Sequence, residues 1–207
     1  MLFRSTVYNE PYAQPAMPGE AVAELEAGIL RGLYRYQEAE RRGEPSAQIL
    51  ASGVALRSAV NAASLLESDW GVSASVWSAT SWTELRRDGL ACEKWNMLHP
   101  SEPPRVPYVT SALEGVPGPV VAVSDWIRSV PDQIARWVPG PYTSLGTDGF
   151  GFSDTRPAAR RFFNVDAESI AVAVLWELAR NGAIDASLPG QAIQKYRLDL
   201  PVHEALS

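Results

Sequence analysis

The chain has 207 residues, 46% of them apolar, which is enough for one large domain with a real core. Its 24 acidic against 18 basic side chains give a net charge of −6, opposite to the basic footprint that phosphate backbones require, so no nucleic acid is expected as a partner. One cysteine and two histidines rule out an internal disulfide and leave almost no room for a Cys/His metal site.

Met1-Leu2-Phe3-Arg4-Ser5 leads into no signal-peptide core and no apolar run approaches the ~20 residues of a membrane span, so the expected setting is cytoplasmic with no membrane contact. Thr6 to Gly19 carries Pro11, Pro15 and Pro18 and reads as an extended connector, because each proline disfavours helix at the residue before it. From Glu20, residues Val22, Leu25, Ile29 and Leu33 fall at helical spacing, while Leu33 to Gln37 also suits a short strand; the pattern leaves both open. The charged stretch Glu38 to Pro45 has turn chemistry at Gly43 and Pro45 and precedes a clear strand, Ala47 to Leu50. Ser52-Gly53 is placed to cap a helix with Leu56, Val60, Ala63 and Leu66 on one face, ending near Gly71. Val72 to Ser78 is the next strand. Thr83 to Asn96 is helix-compatible with an interruption at Gly89, and Pro100, Pro103, Pro104 and Pro107 then impose an irregular loop.

Pro119 to Val123 suits a strand buried on both faces, and Ser124-Asp125 is expected to open a helical stretch through Ile127, Ile134 and Trp137. The last strand is Tyr142 to Leu145. Beyond the loop Gly146 to Asp154, either Asp154 or Thr155 caps a helix with Pro157 in its first turn. Asp166 caps the following helix, whose stretch Ile170 to Leu178 is apolar nearly all round and is therefore expected to be buried, with Asn181-Gly182 as its stop. A short helix near Leu188 to Tyr196 precedes a frayed tail. This alternation predicts an α/β domain with a mostly parallel sheet covered on both faces.

Three constellations deserve chemical scrutiny. Gly146, Gly149 and Gly151 lie between a strand and a helix, where backbone amides can cradle phosphate, but they do not make GxGxxG and no GxxxxGK[ST] occurs; with Asp148 and Asp154 they read first as a structural loop or interface. Gly149 and Gly151 are expected at positive φ or packed on backbone. Cys92 with His99 resembles a nucleophile pair on paper, although a lone cysteine is usually a small buried hydrophobe and His99 sits where a helix end offers free carbonyls. The acidic pairs Asp148/Asp154 and Asp88/Glu93 suit caps and solvated faces better than acid–base dyads. The seven tryptophans, Trp70, Trp77, Trp82, Trp95, Trp126, Trp137 and Trp176, are many for this length, and several fall near segment ends, where large aromatics suit contact surfaces; Trp77 and Trp176 are expected in the core. An exposed apolar patch is expected where the connector, with Tyr8, Tyr12 and Met17, meets one of the aromatic loops.

Several stretches together resemble the carboxy-terminal region of the homodimeric E1 component of the pyruvate dehydrogenase complex, in its actinobacterial form above all. They are Thr6 to Tyr12, Gln48-Ile49-Leu50-Ala51-Ser52-Gly53-Val54-Ala55, Val76-Trp77-Ser78 through Asp88-Gly89, Arg105-Val106-Pro107-Tyr108 and, strongest, Leu145-Gly146-Thr147-Asp148-Gly149-Phe150-Gly151-Phe152-Ser153-Asp154-Thr155-Arg156-Pro157-Ala158-Ala159-Arg160-Arg161. The resemblance runs from Thr6 to about Leu200. It implies a transketolase-like carboxy-terminal domain, a three-layer α/β/α sandwich on a mainly parallel five-stranded sheet with one antiparallel strand, which favours Leu33 to Gln37 as that strand, paired through the charged turn. It implies a domain at 19–200 between a connector at 1–18 and a tail at 201–207.

In the family, the whole enzyme decarboxylates pyruvate on thiamine diphosphate and passes the acetyl unit to the lipoyl group of the E2 acyltransferase. The cofactor and its Mg ion belong to domains upstream of this region, and no catalytic, cofactor-binding or metal-binding residue of the family maps onto this chain. The implied partners are the remaining E1 domains, a second E1 subunit and E2; the implied role is noncatalytic support of dimerisation and domain placement. Two alternatives are an E2-docking module and a free-standing α/β ligand-binding protein using the loop Gly146 to Gly151. Because the family continues a strand upstream of Thr6 where this chain has Met1 to Ser5, the chain is expected to be a shortened reading of a longer gene.

Overall fold

A computed structural model describes residues 11–13, 22–39, 45–151 and 153–200. In chain order they form α1 (Val22–Arg31), β1 (Tyr34–Gln37), β2 (Ser46–Ala51), α2 (Ala55–Trp70), β3 (Ser73–Ser78), α3 (Trp82–Leu98), α4 (Tyr108–Ala112), β4 (Val120–Val123), α5 (Ser129–Asp132), a 3-10 turn (Ala135–Trp137), β5 (Tyr142–Leu145), α6 (Arg156–Phe162), α7 (Ala167–Arg180) and α8 (Leu188–Lys195). The sheet order is β1-β3-β2-β4-β5; β1 runs antiparallel to β3 and every other pair is parallel. This is the expected five-stranded mixed sheet.

Alternation along the central strands separates two cores. Ile49, Val76 and Val121 point to one face and are buried with Leu66 of α2 and Ile170, Val174, Leu175 and Leu178 of α7. Leu50, Trp77 and Ala122 point to the other, against Trp82 and Leu85 of α3, Val109 of α4, Ile134 and Trp137. Helices thus cover both faces, as strands buried on both sides require. The all-buried strand β2 still contains a polar side chain, Gln48. Its Nε2 donates to Pro117 O at 2.9 Å and its Oε1 accepts from Trp77 Nε1 at 2.8 Å, so the buried amide is satisfied and ties three segments together.

Several expectations are corrected. β1 pairs with β3, so the charged turn does not fold it back on the strand that follows it in sequence. α3 runs unbroken through Gly89, where the missing side chain makes room for Trp137: a Cβ there would lie 2.6 Å from the indole ring. Ser124 and Asp125 open no long helix. Ser124 is fully buried, its Oγ accepts from Ser52 Oγ at 3.0 Å and from Trp126 N at 3.1 Å, and only the short α5 and the 3-10 turn follow. Ser52 therefore ties the ends of β2 and β4 together, and Val54 stands at the cap of α2 with no side-chain cap bond. In α7 the apolar run is less uniform than its composition suggests, since Glu177 is buried whereas Trp176 is 46% exposed with Arg180 over its ring. Trp77 is buried as expected, and Trp82 and Trp137 are buried with it. The connector expected to carry the patch lies largely outside the described residues, as does the tail from 201.

Candidate functional site at the carboxyl ends of the strands

From β2 the chain passes to β3 on one side, while β4 lies on the other, so a crevice opens outside the carboxyl ends where the strand order reverses. A cavity of about 820 Å3 occupies this place, lined among others by Tyr36, Ser52, Thr80, Ser81, Trp82, Asp125, Trp126 and Gln133. Many of its hydroxyls already serve the fold. Thr80 Oγ1 donates to Ile29 O at 2.7 Å, and Ser81 Oγ accepts from Glu84 N at 3.1 Å as the cap of α3. The buried indole N–H of Trp82 has no hydrogen-bond partner among the described residues.

Among the described residues Asp125 is the charged side chain of the lining, and no lysine or arginine joins it. Among the described residues no group of three or more His, Cys, Asp or Glu side chains converges as metal ligands do. A diphosphate with its Mg ion needs cations, metal-binding carboxylates or a nest of amides; this donor set does not fit thiamine diphosphate.

The glycine loop lies at the same end. Gly149 and Gly151 have φ of +90° and +87° with open space where a Cβ would be, while Gly146 has another reason to be glycine: a Cβ there would stand 2.4 Å from Trp126 O. The loop after β5 is thus pressed against the loop after β4. Thr147 N donates to Trp126 O at 2.9 Å, and the Thr147 hydroxyl donates to Asp125 O. Asp148 accepts from Arg128 N at 3.0 Å and from Arg128 Nε at 2.6 Å; that backbone N–H first, and then the guanidinium, holds the Asp148 carboxyl below the usual range. Asp154 instead accepts from Thr155 N at 2.6 Å at the start of α6, so the two aspartates have separate structural partners.

The remaining candidates are also engaged locally. Burial, and after it the charge of Asp88, pushes the Cys92 thiol up, away from nucleophilic use. His99 Nδ1 meets Trp95 O at 2.8 Å at the end of α3 and its ring stacks on Trp95. Asp88 accepts from Tyr108 N, and Glu93 from Trp137 Nε1. Sequence reasoning missed the buried Arg161, which pairs with Asp166 and Glu168 and donates to Tyr196 O at 2.9 Å. Its only signal was a basic residue five positions before a helix cap.

The sequence profile of the transketolase-like TK C-terminal domain matches residues 32–166. The chain belongs to this transketolase-like C-terminal domain family. Curated relatives of this domain are the pyruvate dehydrogenase E1 components of Mycolicibacterium smegmatis, 60% identical over 199 residues, and Mycobacterium tuberculosis, 58% identical over 199 residues; each match takes in 96% of this chain and 21% of the relative. The E1 component of Escherichia coli K12 is 45% identical over 195 residues, 94% of this chain and 21% of the relative. The chain therefore spans about a fifth of the length of the relatives it matches. Among solved structures, the fold of this transketolase-like domain is shared with a split-gene transketolase described as an inactive β4 tetramer (TM-score 0.50, 17% identity, 72% of this chain and 43% of that one). It is also shared with a Pichia stipitis transketolase (TM-score 0.50, 18% identity, 75% of this chain and 19% of that one).

Proposed function

We propose that this transketolase-like domain is the noncatalytic carboxy-terminal domain of a pyruvate dehydrogenase E1 subunit, supporting dimerisation and the placement of the catalytic domains. The observation that carries this reading is the 60% identity to an E1 component across 96% of the chain. Residues 19–200 form the domain, residues 1–18 the connector and residues 201–207 a tail. Thiamine diphosphate supplies the carbanion chemistry of pyruvate decarboxylation in the whole enzyme and, with Mg, belongs to the preceding domains. The residues of this chain hold the sheet and set the loops at its carboxyl end. Its partners are the other E1 domains, a second E1 subunit and, within the complex, the E2 acyltransferase; its compartment is the cytoplasm.

Two measurements test the proposal. The purified chain should neither bind thiamine diphosphate with Mg in calorimetry nor release CO2 from pyruvate. The M. smegmatis E1 component with its matched region replaced by this chain should keep pyruvate dehydrogenase activity. Micromolar cofactor binding by the chain alone, or a folded but inactive chimera, argues against it.

A further inference from the structure

The loops after β4 and β5 present three large apolar side chains to solvent: Trp126 at 63% exposure, Ile127 at 47% and Phe150 fully exposed. A mobile loop could fold such residues against the domain. The backbone that carries Trp126 and Ile127 is held instead by the loop after β5, through Thr147 N to Trp126 O, the Thr147 hydroxyl to Asp125 O, and the paired bonds from Arg128 to Asp148, with Gly146 allowing the close approach and Phe150 two residues beyond Asp148. Aromatic side chains held in place before contact lose little freedom on association and bury ~150–250 Å² each, which makes them efficient interface anchors. The charged pair in the same two loops, Arg128 with Asp148, is mutually neutralised, so the surface suits an apolar partner face better than a charged one.

Resting on the proposed function, we infer that Trp126, Ile127 and Phe150 form the surface on which the preceding part of the E1 polypeptide docks. The path of the chain selects this occupant over others. Tyr12, in the segment leading into the domain, accepts a hydrogen bond from Arg160 of α6 at 3.2 Å and lies under the guanidinium of Arg57 in the first turn of α2. Arg160 follows the glycine loop and Arg57 follows the carboxyl end of β2, so residues 11–13 lie at the same end of the sheet as the aromatic loops. The roughly four fifths of an E1 subunit beyond this domain are tethered there at a local concentration on the order of millimolar, far above that of a free partner.

Hydroxyl-radical footprinting with mass spectrometry tests this on the chain alone and on the M. smegmatis E1 component carrying it in place of the matched region. Trp126 and Phe150 are expected to oxidise at least about ten-fold more slowly in the active chimera, as residues at the core of an interface do. Equal rates in an active chimera overturn the inference and leave the proposed function standing. A chimera without activity overturns the proposed function, and the inference with it. Protection already present in the isolated chain and lost on dilution identifies a second copy as the occupant and overturns the assignment to the preceding polypeptide.

Discussion

Alanine in place of each loop glycine separates conformational strain from crowding. At Gly149 and Gly151 an added Cβ meets nothing, so the expected loss is the strain of a positive φ, about 1 kcal/mol each. Gly146→Ala instead drives a methyl group into Trp126 O, and overpacking of about 1–3 kcal/mol should make it the most damaging of the three in thermal melts. Gly89→Ala reverses the usual rule for helices: alanine is better there by about 1 kcal/mol in intrinsic propensity, yet the clash with Trp137 should leave the variant less stable. A variant that melts higher than the parent refutes that account of α3. Asp166→Ala removes both the cap of α7 and the nearest partner of the buried Arg161, and should cost about 3 kcal/mol or more in urea unfolding, softened by the remaining contact to Glu168.

At the scale of elements, α8 is tied to α2 by a polar cluster. Trp70 Nε1 donates to the Tyr196 hydroxyl at 2.8 Å, that hydroxyl donates to Asp69 at 2.8 Å, and Lys195 Nζ lies 2.8 Å from the same carboxylate. Lys195 first, and then Tyr196, hold the Asp69 carboxyl below its ordinary range, while burial pushes the Tyr196 phenol up. A carboxyl depressed in the folded state contributes stability that is present above its unfolded pKa of about 4 and disappears as pH falls through the folded value. Asp69→Asn should therefore lower the urea midpoint at pH 7 and narrow its deficit against the parent at pH 3. An equal deficit at both pH values assigns the loss to packing.

The buried strands read well from sequence because continuous apolar runs bounded by turn residues have few other solutions; Pro119 to Val123 contains the whole of β4. Pairing read poorly. Nothing local to Tyr34–Gln37 says that its neighbour is some 40 residues on, and the resemblance that supplied its direction did not supply its partner. Gly149 and Gly151 were understood because turn chemistry is local, whereas the need for glycine at Gly146 and Gly89 comes from Trp126 and Trp137, which only the fold brings there. Trp176, expected in the core, lies outside it for a similar reason while Glu177 is buried. Thr143 on the edge strand β5 donates to Glu177, which Arg180 also reaches, so the carboxylate is satisfied inside and the indole can turn outward under Arg180.

For the whole molecule, the exposed aromatics should limit solubility while adding little to stability. Trp126→Ser with Phe150→Ser should leave the melting free energy of the isolated chain within about 0.5 kcal/mol, as surface changes usually do, and raise the concentration at which the protein stays clear. A large drop in melting temperature would place these side chains inside the domain. Strand order has a consequence in time. Because β1 lies beyond β3 in the sheet, the ribosome finishes Tyr34–Gln37 before the edge that receives it has been made. At about 5–20 residues per second the roughly 40 intervening residues take some seconds. For that interval the first-made strand has no β3 edge to receive it, and α1, which follows it onto the finished sheet through Leu33 and Gly28, cannot take its place. The first strand of this sheet to be synthesised thus waits for the third, while β4 and β5 close the opposite edge later still.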